Sequence, residues 1–397
     1  MSSTKEFDSL SGQSLEGAAA LRRLNAQRVL GATWDRDAVT ASELIDLSGL
    51  TRATVLNLAK ELVEAGWLIE ADDTRVAGAY SKGRPALRYE LNASHRYIVG
   101  IDAGQHRISL TLSDLRGTPV AQRQVQIDPE ASGKRRLNAT EKILVSTLAE
   151  NNVRNLAALV IGVPAPVDAK GGSPKDANGF WGDMNPDWRG ALGKYAQLLR
   201  VENDANLAAI AELAAGTDGS FASLMVGERF GAGVVVDDHL LRGAKGLAGE
   251  MRFLSRVTGV GDAYGLGYLA RQNAIAALKE SRASSLAALD IDKLRAEDVF
   301  LAAANDDALA LEIMASLGAR LAKVCAVISG FAGLERVILC GAMADILGPV
   351  VAIAQQELLQ EPELTRVELT TSTLGAEVSM RGAIDLGVQL VRQNAPF

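Results

Sequence analysis

The feature that most constrains the fold is a pair of helical patterns joined by a short turn, in the segment TASELIDLSGLTRATVLNLAKELVEAGWL at residues 40–68. Thr40 and Glu43 have the spacing of a capping box, in which each side chain bonds the backbone of the other, so a short helix is expected to begin there. The turn Ser48-Gly49-Leu50 ends that helix, and Thr51 is expected to cap a longer one. Two helices joined by a three-residue turn that contains glycine predict a helix-turn-helix unit.

Two strand-like runs follow this unit, at residues 67–70 and 86–91, around a polar loop. They predict a winged helix over residues 15–92, with an amphipathic first helix from Leu21 to Trp34 behind a mobile tail at residues 1–14. The stretch from Thr74 to Tyr89 contains no acid and holds four basic residues, which are Arg75, Lys82, Arg84 and Arg88. Positive charge is therefore concentrated where a wing could meet DNA phosphates.

The side chains expected to contact DNA lie in the second helix and in the wing. A recognition helix presents its N-terminal half to base edges in the major groove, and here that half carries Thr51, Arg52, Thr54 and Asn57. In the wing, Lys82 is expected near phosphates and Arg84 in a narrow minor groove. The alternatives are a helical hairpin that serves only packing and a tight turn with a solvated arginine.

The chain changes character from Arg96 onward, where strand and helix patterns alternate. Strands are expected at 97–102, 108–112, 157–167, 198–204, 223–236, 336–341 and 365–372, and helices at 206–215, within 265–332, at 344–359 and at 380–393. This order predicts an α/β fold in which a mixed sheet with helices on both faces occurs twice. The first lobe is expected to comprise residues 93–204 and 384–397, and the second lobe residues 205–383.

Composition narrows the class of protein. A chain of 397 residues with 48% hydrophobic and 22% charged residues has enough apolar surface for two or three cores. The net charge of −7 argues against a protein coated in nucleic acid but permits a small DNA-binding module. Two cysteines in apolar surroundings suit a reducing cytoplasm, and neither a signal peptide nor a membrane-spanning run is expected. The sequence thus predicts a cytoplasmic protein.

Four segments of the second part carry motifs: VGIDAGQHRISLTLSD at 99–114, IGVPAPVDAKGG at 161–172, VENDAN at 201–206 and GLAGEMRFL at 246–254. In this order, behind a winged helix, they resemble the ROK family, which joins bacterial sugar kinases to transcriptional repressors in the two-lobed, actin-like ATPase (ribonuclease H-like) fold. The resemblance covers residues 20–393. Because the kinase branch lacks the winged helix, its presence implies the repressor branch.

The resemblance implies a ligand site between the lobes. Asp204 matches the catalytic base of the kinases, with Asn203 beside it, and Asn185 lies in the family's Asn-containing segment before that base. Glu250 matches an acceptor of sugar hydroxyl groups. These four residues are expected to contact an effector. The alternatives are a helix N-cap for Asp204 and a hydrogen bond between the lobes for Glu250.

The two phosphate loops depart from the kinase pattern that the resemblance implies. Gln105 and His106 replace a Gly and a Thr in the first loop, and Glu228 and Arg229 interrupt a Gly-Thr-Gly turn in the second. A carboxylate against phosphates costs on the order of several kcal/mol, and a Glu228–Arg229 ion pair is expected to fill the phosphate space. We therefore expect neither ATP binding nor any other cofactor.

The sugar and zinc positions of the family have also changed. Phe253 stands where the family has a His that binds both sugar and zinc, and residues 255–271 contain neither Cys nor His. No metal site is therefore expected. Phe253 and Ala270 are expected to make the pocket more apolar than a hexose site.

The sequence as a whole predicts a DNA-binding transcriptional regulator, with repression as the expected sign. It is expected to bind double-stranded operator DNA as a homodimer or homotetramer and to sense a sugar or sugar derivative, which Asp204 holds without catalysis. One alternative is a sugar kinase with an appended DNA-binding domain. Another is a constitutive DNA-binding protein whose kinase-like part only assembles the oligomer.

Overall fold

The computed structural model describes residues 4–71, 87–154, 156–176, 179–360 and 367–396, with side chains from residue 17 onward. The described residues of the N-terminal part, 4–71 and 87–92, contain three helices and three short strands. In chain order these are α1 (Thr4–Trp34), β1 (Val39–Thr40), α2 (Ala41–Ser48), α3 (Arg52–Glu64), β2 (Leu68–Ala71) and β3 (Arg88–Leu91). The strands form one antiparallel sheet in the order β1-β3-β2. Helices followed by this sheet form the expected winged helix.

The helix boundaries at the turn are those that the capping residues predict. The Glu43 amide donates to Thr40 Oγ1 over 3.2 Å, and the Thr40 amide donates to Glu43 Oε2 over 2.6 Å, which completes the capping box. Gly49 ends α2 with a φ of 68°, a backbone conformation that favours glycine. Thr51 caps α3 by accepting from the Thr54 amide over 3.3 Å.

The first helix differs from the prediction in length and in its apolar face. It begins at Thr4, so residues 4–14 have helical backbone where a tail without regular structure is expected. Val29 and Leu30 are buried as predicted, but Leu21 and Leu24 are 60% and 56% exposed. The reason is that α1 meets α3 at this level through an ion pair between Arg22 and Glu61, and not through leucine side chains.

The first lobe is a five-stranded mixed sheet with three helices. Its elements are β4 (Tyr97–Ala103), β5 (Arg107–Ser113), β6 (Pro119–Gln126), α4 (Gly133–Glu150), β7 (Leu156–Val163), α5 (Phe180–Met184), α6 (Trp188–Leu192) and β8 (Ala196–Asn203). The strand order is β6-β5-β4-β7-β8, with antiparallel pairs on the β6 side of β4 and parallel pairs on its β7 side. Every residue of β7 is buried, as a central strand covered on both faces requires.

The second lobe repeats this arrangement. Its elements are α7 (Asp204–Ala214), β9 (Phe221–Met225), β10 (Gly231–Val236), β11 (His239–Leu241), α8 (Leu266–Lys279), α9 (Ala296–Ala304), α10 (Ala308–Ala332), β12 (Arg336–Cys340), α11 (Gly348–Leu359) and β13 (Glu368–Thr371). The last helix, α12 (Val378–Asn394), follows them and packs on the first sheet. The strand order is β11-β10-β9-β12-β13. As in the first sheet, the first strand of the lobe is central, the next two strands lie on one side of it and the last two on the other. Two sheets of the same topology confirm the predicted fold, a two-lobed actin-like architecture behind a winged helix.

The predicted single strand at residues 223–236 is wrong. The structure divides it into β9 and β10, an antiparallel hairpin in which Met225 pairs with Gly231. The backbone of residues 226–230, between these strands, leaves the sheet and bonds another segment, since the Phe230 amide donates to the Ala263 carbonyl over 2.9 Å. The Gly265 amide in turn donates to the carbonyl of Glu228, also over 2.9 Å.

The last helix, α12, closes the molecule by packing on the first sheet and on α7. Gly382 lies against α7 so closely that a Cβ there would stand 1.8 Å from the Leu207 carbonyl oxygen. Both cysteines are buried and unpaired, as their apolar surroundings predict. In the part of the chain that the structure describes, every helix is too short or too polar to cross a bilayer.

Candidate functional site

A cleft of about 380 Å³ lies between the two lobes, where the ends of several strands and helices meet. The first lobe contributes Asp102 at the end of β4 and Asn203 at the end of β8. The second lobe contributes the loop between β9 and β10, and also Glu250 in the connection between β11 and α8. Ligands of open α/β sheets bind at the carboxyl ends of strands, so this position is typical of a binding site.

Asp204 is the first residue of α7 and lines the cleft. Its Oδ1 accepts from the Ala205 amide over 2.8 Å and from the side-chain amide of Asn203 over 3.2 Å. Burial, and then the nearby carboxylate of Asp102, raise the pKa of Asp204 from 3.8 to about 7. At neutral pH this side chain can therefore either accept or donate a hydrogen bond.

Asp102 titrates in the same direction for the same main reason. Burial raises its pKa from 3.8 to about 6, while Arg107 opposes the rise and Glu377 adds to it. Both half-buried carboxyl groups line one cavity, so ionisation of one disfavours ionisation of the other. The cleft thus holds one proton-sensitive pair.

Asn203, and not Asp204, caps helix α7. Its Oδ1 accepts from the Asn206 amide over 3.0 Å, so the alternative role of Asp204 as the N-cap is wrong. The Asn203 side-chain amide donates to Asp204 and to the Ala165 carbonyl, over 3.2 Å in each case. Asn203 therefore orients the Asp204 carboxyl while it lines the cleft.

Glu250 reaches the cleft from the opposite side. Its Oε1 accepts from the Arg252 amide over 2.9 Å, which caps a short 3₁₀ helix and fixes the carboxylate in place. The Arg252 guanidinium lies 3.7 Å from the centre of the Trp181 ring, and its Nη2 is 3.9 Å from Asp176 Oδ2. Glu250, Arg252 and Trp181 therefore form one wall of the cleft.

Asn185 does not line the cleft with the other three predicted effector residues. Its side-chain amide donates to the Gly171 carbonyl over 3.1 Å and to Ser173 Oγ over 2.8 Å. It thereby holds the loop after β7, which carries Ala165 and Pro166 into the cleft. Asn185 therefore helps to fix the shape of the cleft wall and does not itself line the cleft.

The first phosphate loop is fixed from behind by a buried arginine. Gln105 and His106 line the cleft, as the sequence predicts for bulk at these positions. Arg136 is fully buried and donates to the carbonyls of Gly104 and Gln105 over 2.9 Å each. A loop whose carbonyls are held this way has little freedom to withdraw its side chains from the cavity.

In the second phosphate loop the expected ion pair between Glu228 and Arg229 is wrong. Glu228 instead faces Arg271 across 3.8 Å, and Arg229 lies over the Phe180 and Tyr264 rings at 5.4 and 5.8 Å. The antiparallel bridge between Arg229 and Tyr264 explains this, because it turns neighbouring side chains to opposite sides. Both side chains still line the cleft, in the loop that the family resemblance identifies as the second phosphate loop.

Two residues expected to make the cleft apolar do not line it. Phe253 is 64% exposed, because the short helix that follows Glu250 turns it outward. Ala270 is buried inside the second lobe, among the residues that pack α8 against its neighbours. The apolar lining comes instead from Phe180, Trp181 and Met225.

Trp181, Arg252 and Ser379 line the cleft but are not predicted from the sequence. Trp181 follows a segment without a motif, and Ser379 comes from the far end of the chain. Arg252 lies two residues after Glu250, and a charged side chain inside a ligand motif is the one signal that could have found it.

The predicted DNA-contacting residues lie at the start of α3. Thr51, Arg52 and Asn57 are exposed and Thr54 is half-buried. The two threonine hydroxyl groups are 2.9 Å apart, so part of their bonding capacity is used within the helix cap. Lys82 and Arg84 lie outside the described residues.

Comparison with known proteins agrees with this arrangement. The model of the ROK family matches residues 98–389. Over 239 residues the chain is 29% identical to a putative xylose repressor of Caldicellulosiruptor sp. strain Rt8B.4, a match that spans 59% of this chain and 59% of that protein. It is also 26% identical over 331 residues to a glucokinase of Halalkalibacterium halodurans, covering 76% of this chain and 96% of the enzyme.

A solved structure extends the similarity to the N-terminal part. The crystal structure of a ROK family transcriptional regulator, a homologue of the Escherichia coli MLC protein, superposes with a TM-score of 0.70. The match has 22% sequence identity and covers 94% of this chain and 97% of that one. It supports the same fold over both parts of the chain.

Proposed function

The chain belongs to the ROK family, and from this premise we propose that it is a DNA-binding transcriptional repressor whose cleft senses a sugar. The winged helix carries this proposal. It exposes the first turns of α3, with Arg52 and Asn57 directed to solvent, and it precedes a two-lobed domain whose cleft has a volume of about 380 Å³. Sugar phosphorylation alone does not account for such a helix.

The proposed contacts with DNA follow from the chemistry of the exposed residues. Asn57 can bond the edge of an adenine and Arg52 that of a guanine or a phosphate, while Thr51 and Thr54 pack at the groove wall. In the wing, Lys82 and Arg84 are proposed to bind the backbone and the minor groove. A homodimer or homotetramer would place two recognition helices about 34–36 Å apart, or a multiple of that distance, on a palindromic operator in the cytoplasm.

The proposed effector is a sugar held by Asn203, Asp204 and Glu250, with Asn185 supporting the wall. Carboxyl groups accept hydrogen bonds from sugar hydroxyl groups, and a cleft of about 380 Å³ is in the range of small-ligand sites. The similarity to a xylose repressor makes D-xylose the first compound to test, and the similarity to a glucokinase makes D-glucose the second.

Sugar phosphorylation is the alternative function. A pKa of about 7 suits Asp204 as a general base, and the similarity to a glucokinase favours the same reading. A base needs a phosphoryl donor beside it, however, and Glu228 places a carboxylate in the phosphate space. We therefore propose that the protein is not an enzyme.

Two measurements test the proposal. Selection of DNA fragments from a random pool, followed by fluorescence anisotropy, should yield a preferred site. Asn57→Ala should relax its specificity by about 1–3 kcal/mol, whereas Arg28→Ala, an exposed change in α1, should not. Thermal shift with D-xylose, D-glucose and ATP should show a sugar-dependent rise that is lost in Asp204→Ala and Glu250→Ala. No selected DNA site, or turnover of ATP with a sugar, would contradict the proposal.

A further inference from the structure

Helix α12 connects the cleft to the winged helix. Its first turn carries Ser379, which lines the cleft, and its last turn lies against α1. Its 17 residues span about 25 Å as a single helix without a proline. The two proposed functional regions are therefore the two ends of one element.

The cleft end of α12 is joined to the residue that the ligand is proposed to contact. The Ser379 hydroxyl donates to the main-chain carbonyl of Asp204 over 3.1 Å. One turn further, Gly382 lies against the backbone of Leu207 in α7, where there is no room for a side chain. A shift of the start of α7 cannot be taken up by a flexible side chain at this contact, so it is passed on to α12.

The middle of α12 rests on the first sheet. Ile384 and Ala383 pack on Gly100 of β4, where an added Cβ would be 3.0 Å from the Ile384 side chain. Well-packed interiors resist compression and transmit displacement. The helix is thus guided along the sheet as a rigid body.

The far end of α12 is held by three polar contacts from the winged helix. Arg23 donates to the Asn394 carbonyl over 2.8 Å, and Gln27 donates to the Gln393 carbonyl over 3.0 Å. Asp35 pairs with Arg392 through two hydrogen bonds of 2.7 and 3.1 Å. Carbonyls at a helix end have no partner within the helix, and α1 supplies these partners here.

Apolar packing reinforces this contact. Val391 and Ala395 are buried in one cluster with Val29 and Leu30 of α1. The same cluster includes Val55 and Leu58 of α3, so the recognition helix and the end of α12 share a core. Movement at the end of α12 therefore bears on the orientation of α3.

From these contacts we propose that α12 is the element that transmits the state of the cleft to the recognition helix. This inference rests on the sensing role proposed for the cleft. A ligand that contacts Asp204 displaces the start of α7, α12 follows, and the position of α3 changes through α1. The competing route is the direct chain connection between β3 and β4, which bypasses α12.

Hydrogen exchange of the α3 amides, followed by mass spectrometry on the full-length protein, distinguishes the two routes. The disconnected variant is Arg23→Ala/Gln27→Ala/Asp35→Ala, which removes all three polar contacts and leaves the net charge unchanged. The matched control is Arg28→Ala/Asp37→Asn, which also leaves the net charge unchanged and alters exposed residues that have no contact with α12. Each protein is measured with and without saturating D-xylose, and again with Asp204→Asn added as a perturbation that needs no ligand.

We expect each perturbation to change α3 exchange about fivefold or more in the wild type and in the control, which corresponds to a typical allosteric coupling. In the disconnected variant the change should fall below about twofold while D-xylose still binds. A disconnected variant whose α3 exchange responds like that of the wild type would overturn the inference. So would the finding that Asp204→Asn, as the single substitution, leaves the exchange of the α3 amides unchanged.

Failure of the sensing role has a separate signature. If no thermal shift occurs with D-xylose or D-glucose, the proposed sugar response is wrong, and the Asp204→Asn comparison alone decides the role of α12. If the disconnected variant does not fold, Ser379→Ala replaces it, because that change cuts the same path at the cleft end. It should reduce the response of α3 to Asp204→Asn, and an unchanged response would count against the inference.

Discussion

Replacement of Asp204 by asparagine should change how the stability of the protein depends on pH. The carboxyl group is buried beside Asp102, with Glu250 as a further negative neighbour, and its pKa is raised from 3.8 to about 7. In Asp204→Asn the side-chain oxygen can still accept from the Ala205 amide, as Asp204 Oδ1 does over 2.8 Å. The variant therefore removes the titration, and with it the negative charge that the ionised group places beside Asp102 and Glu250, while it keeps the volume of the side chain.

The direction of the effect follows from proton binding. In the unfolded chain Asp204 loses its proton near pH 4, whereas in the folded protein it keeps the proton until about pH 7. Between these values the folded state binds more protons, so the free energy of unfolding falls as the pH rises. Each pKa unit is worth about 1.4 kcal/mol, and the loss between pH 4 and 8 is on the order of 4 kcal/mol. The repulsion between the Asp204 and Asp102 carboxylates is one interaction, so its free energy is counted only once in this loss.

Urea unfolding at pH 5, 6, 7 and 8 measures the effect as a difference between two proteins. Other groups titrate equally in both, so subtraction leaves the contribution of the pair. The free energy of unfolding of Asp204→Asn, taken relative to that of the wild type, should rise by about 2–4 kcal/mol between pH 5 and pH 8. Asp218→Asn, which removes a carboxylate from an exposed turn, should follow the wild type. A difference between Asp204→Asn and the wild type that stays constant over this range would refute the burial argument.

Three further predictions concern packing and capping. Gly382→Ala puts a methyl group 1.8 Å from the Leu207 carbonyl oxygen and should lower the free energy of unfolding by about 2–3 kcal/mol. Gly330→Ala, a helical position with no atom within 4 Å, should raise it by about 0.5–1 kcal/mol, and equal effects in urea would contradict the close contact. Glu202→Ala removes a carboxylate that is 1% exposed and bonds two arginines, so thermal unfolding should show a loss of about 2–4 kcal/mol; an unchanged Tm would show the network to be dispensable. Thr40→Ala removes the hydroxyl that accepts from the Glu43 amide and keeps the bond from the residue 40 amide to Glu43, so it should cost about 1 kcal/mol in urea, whereas no change would mean that α2 starts independently of its cap.

The parts of the fold that sequence predicts well are those fixed by local chemistry. Thr40, Glu43 and Thr51 define helix ends through bonds to neighbours within three residues, and the structure contains each of these bonds. Strands such as β7 are apolar throughout because both faces are covered. Such signals need no knowledge of distant residues, so helices and strands are found close to their predicted positions.

The parts that sequence does not predict depend on partners far along the chain. Glu228 and Arg229 are adjacent, yet their partners are Arg271 and the rings of Phe180 and Tyr264. The exposure of Leu21 likewise depends on how α3 meets α1. Ser379 lines the cleft because the chain, after the last strand of the second sheet, comes back to the first lobe as α12. These contacts arise from the tertiary fold and cannot be predicted from the spacing of residues along the sequence.

The raised pKa of Asp204 is a consequence of the same geometry that joins α7 to α12. The carboxyl group is buried because α7 begins inside the cleft, and α7 is held there by Asn203 at its cap and by Ser379 at its first carbonyl. A protein that needed only a coupling between cleft and helix would retain all of these residues. An aspartate at the start of α7 therefore fits our proposal of a cleft that binds an effector and in which Glu228 and Arg229 exclude phosphates. In this interpretation Asp204 binds a ligand without catalysis, and the contact with the ligand sets the position of α7.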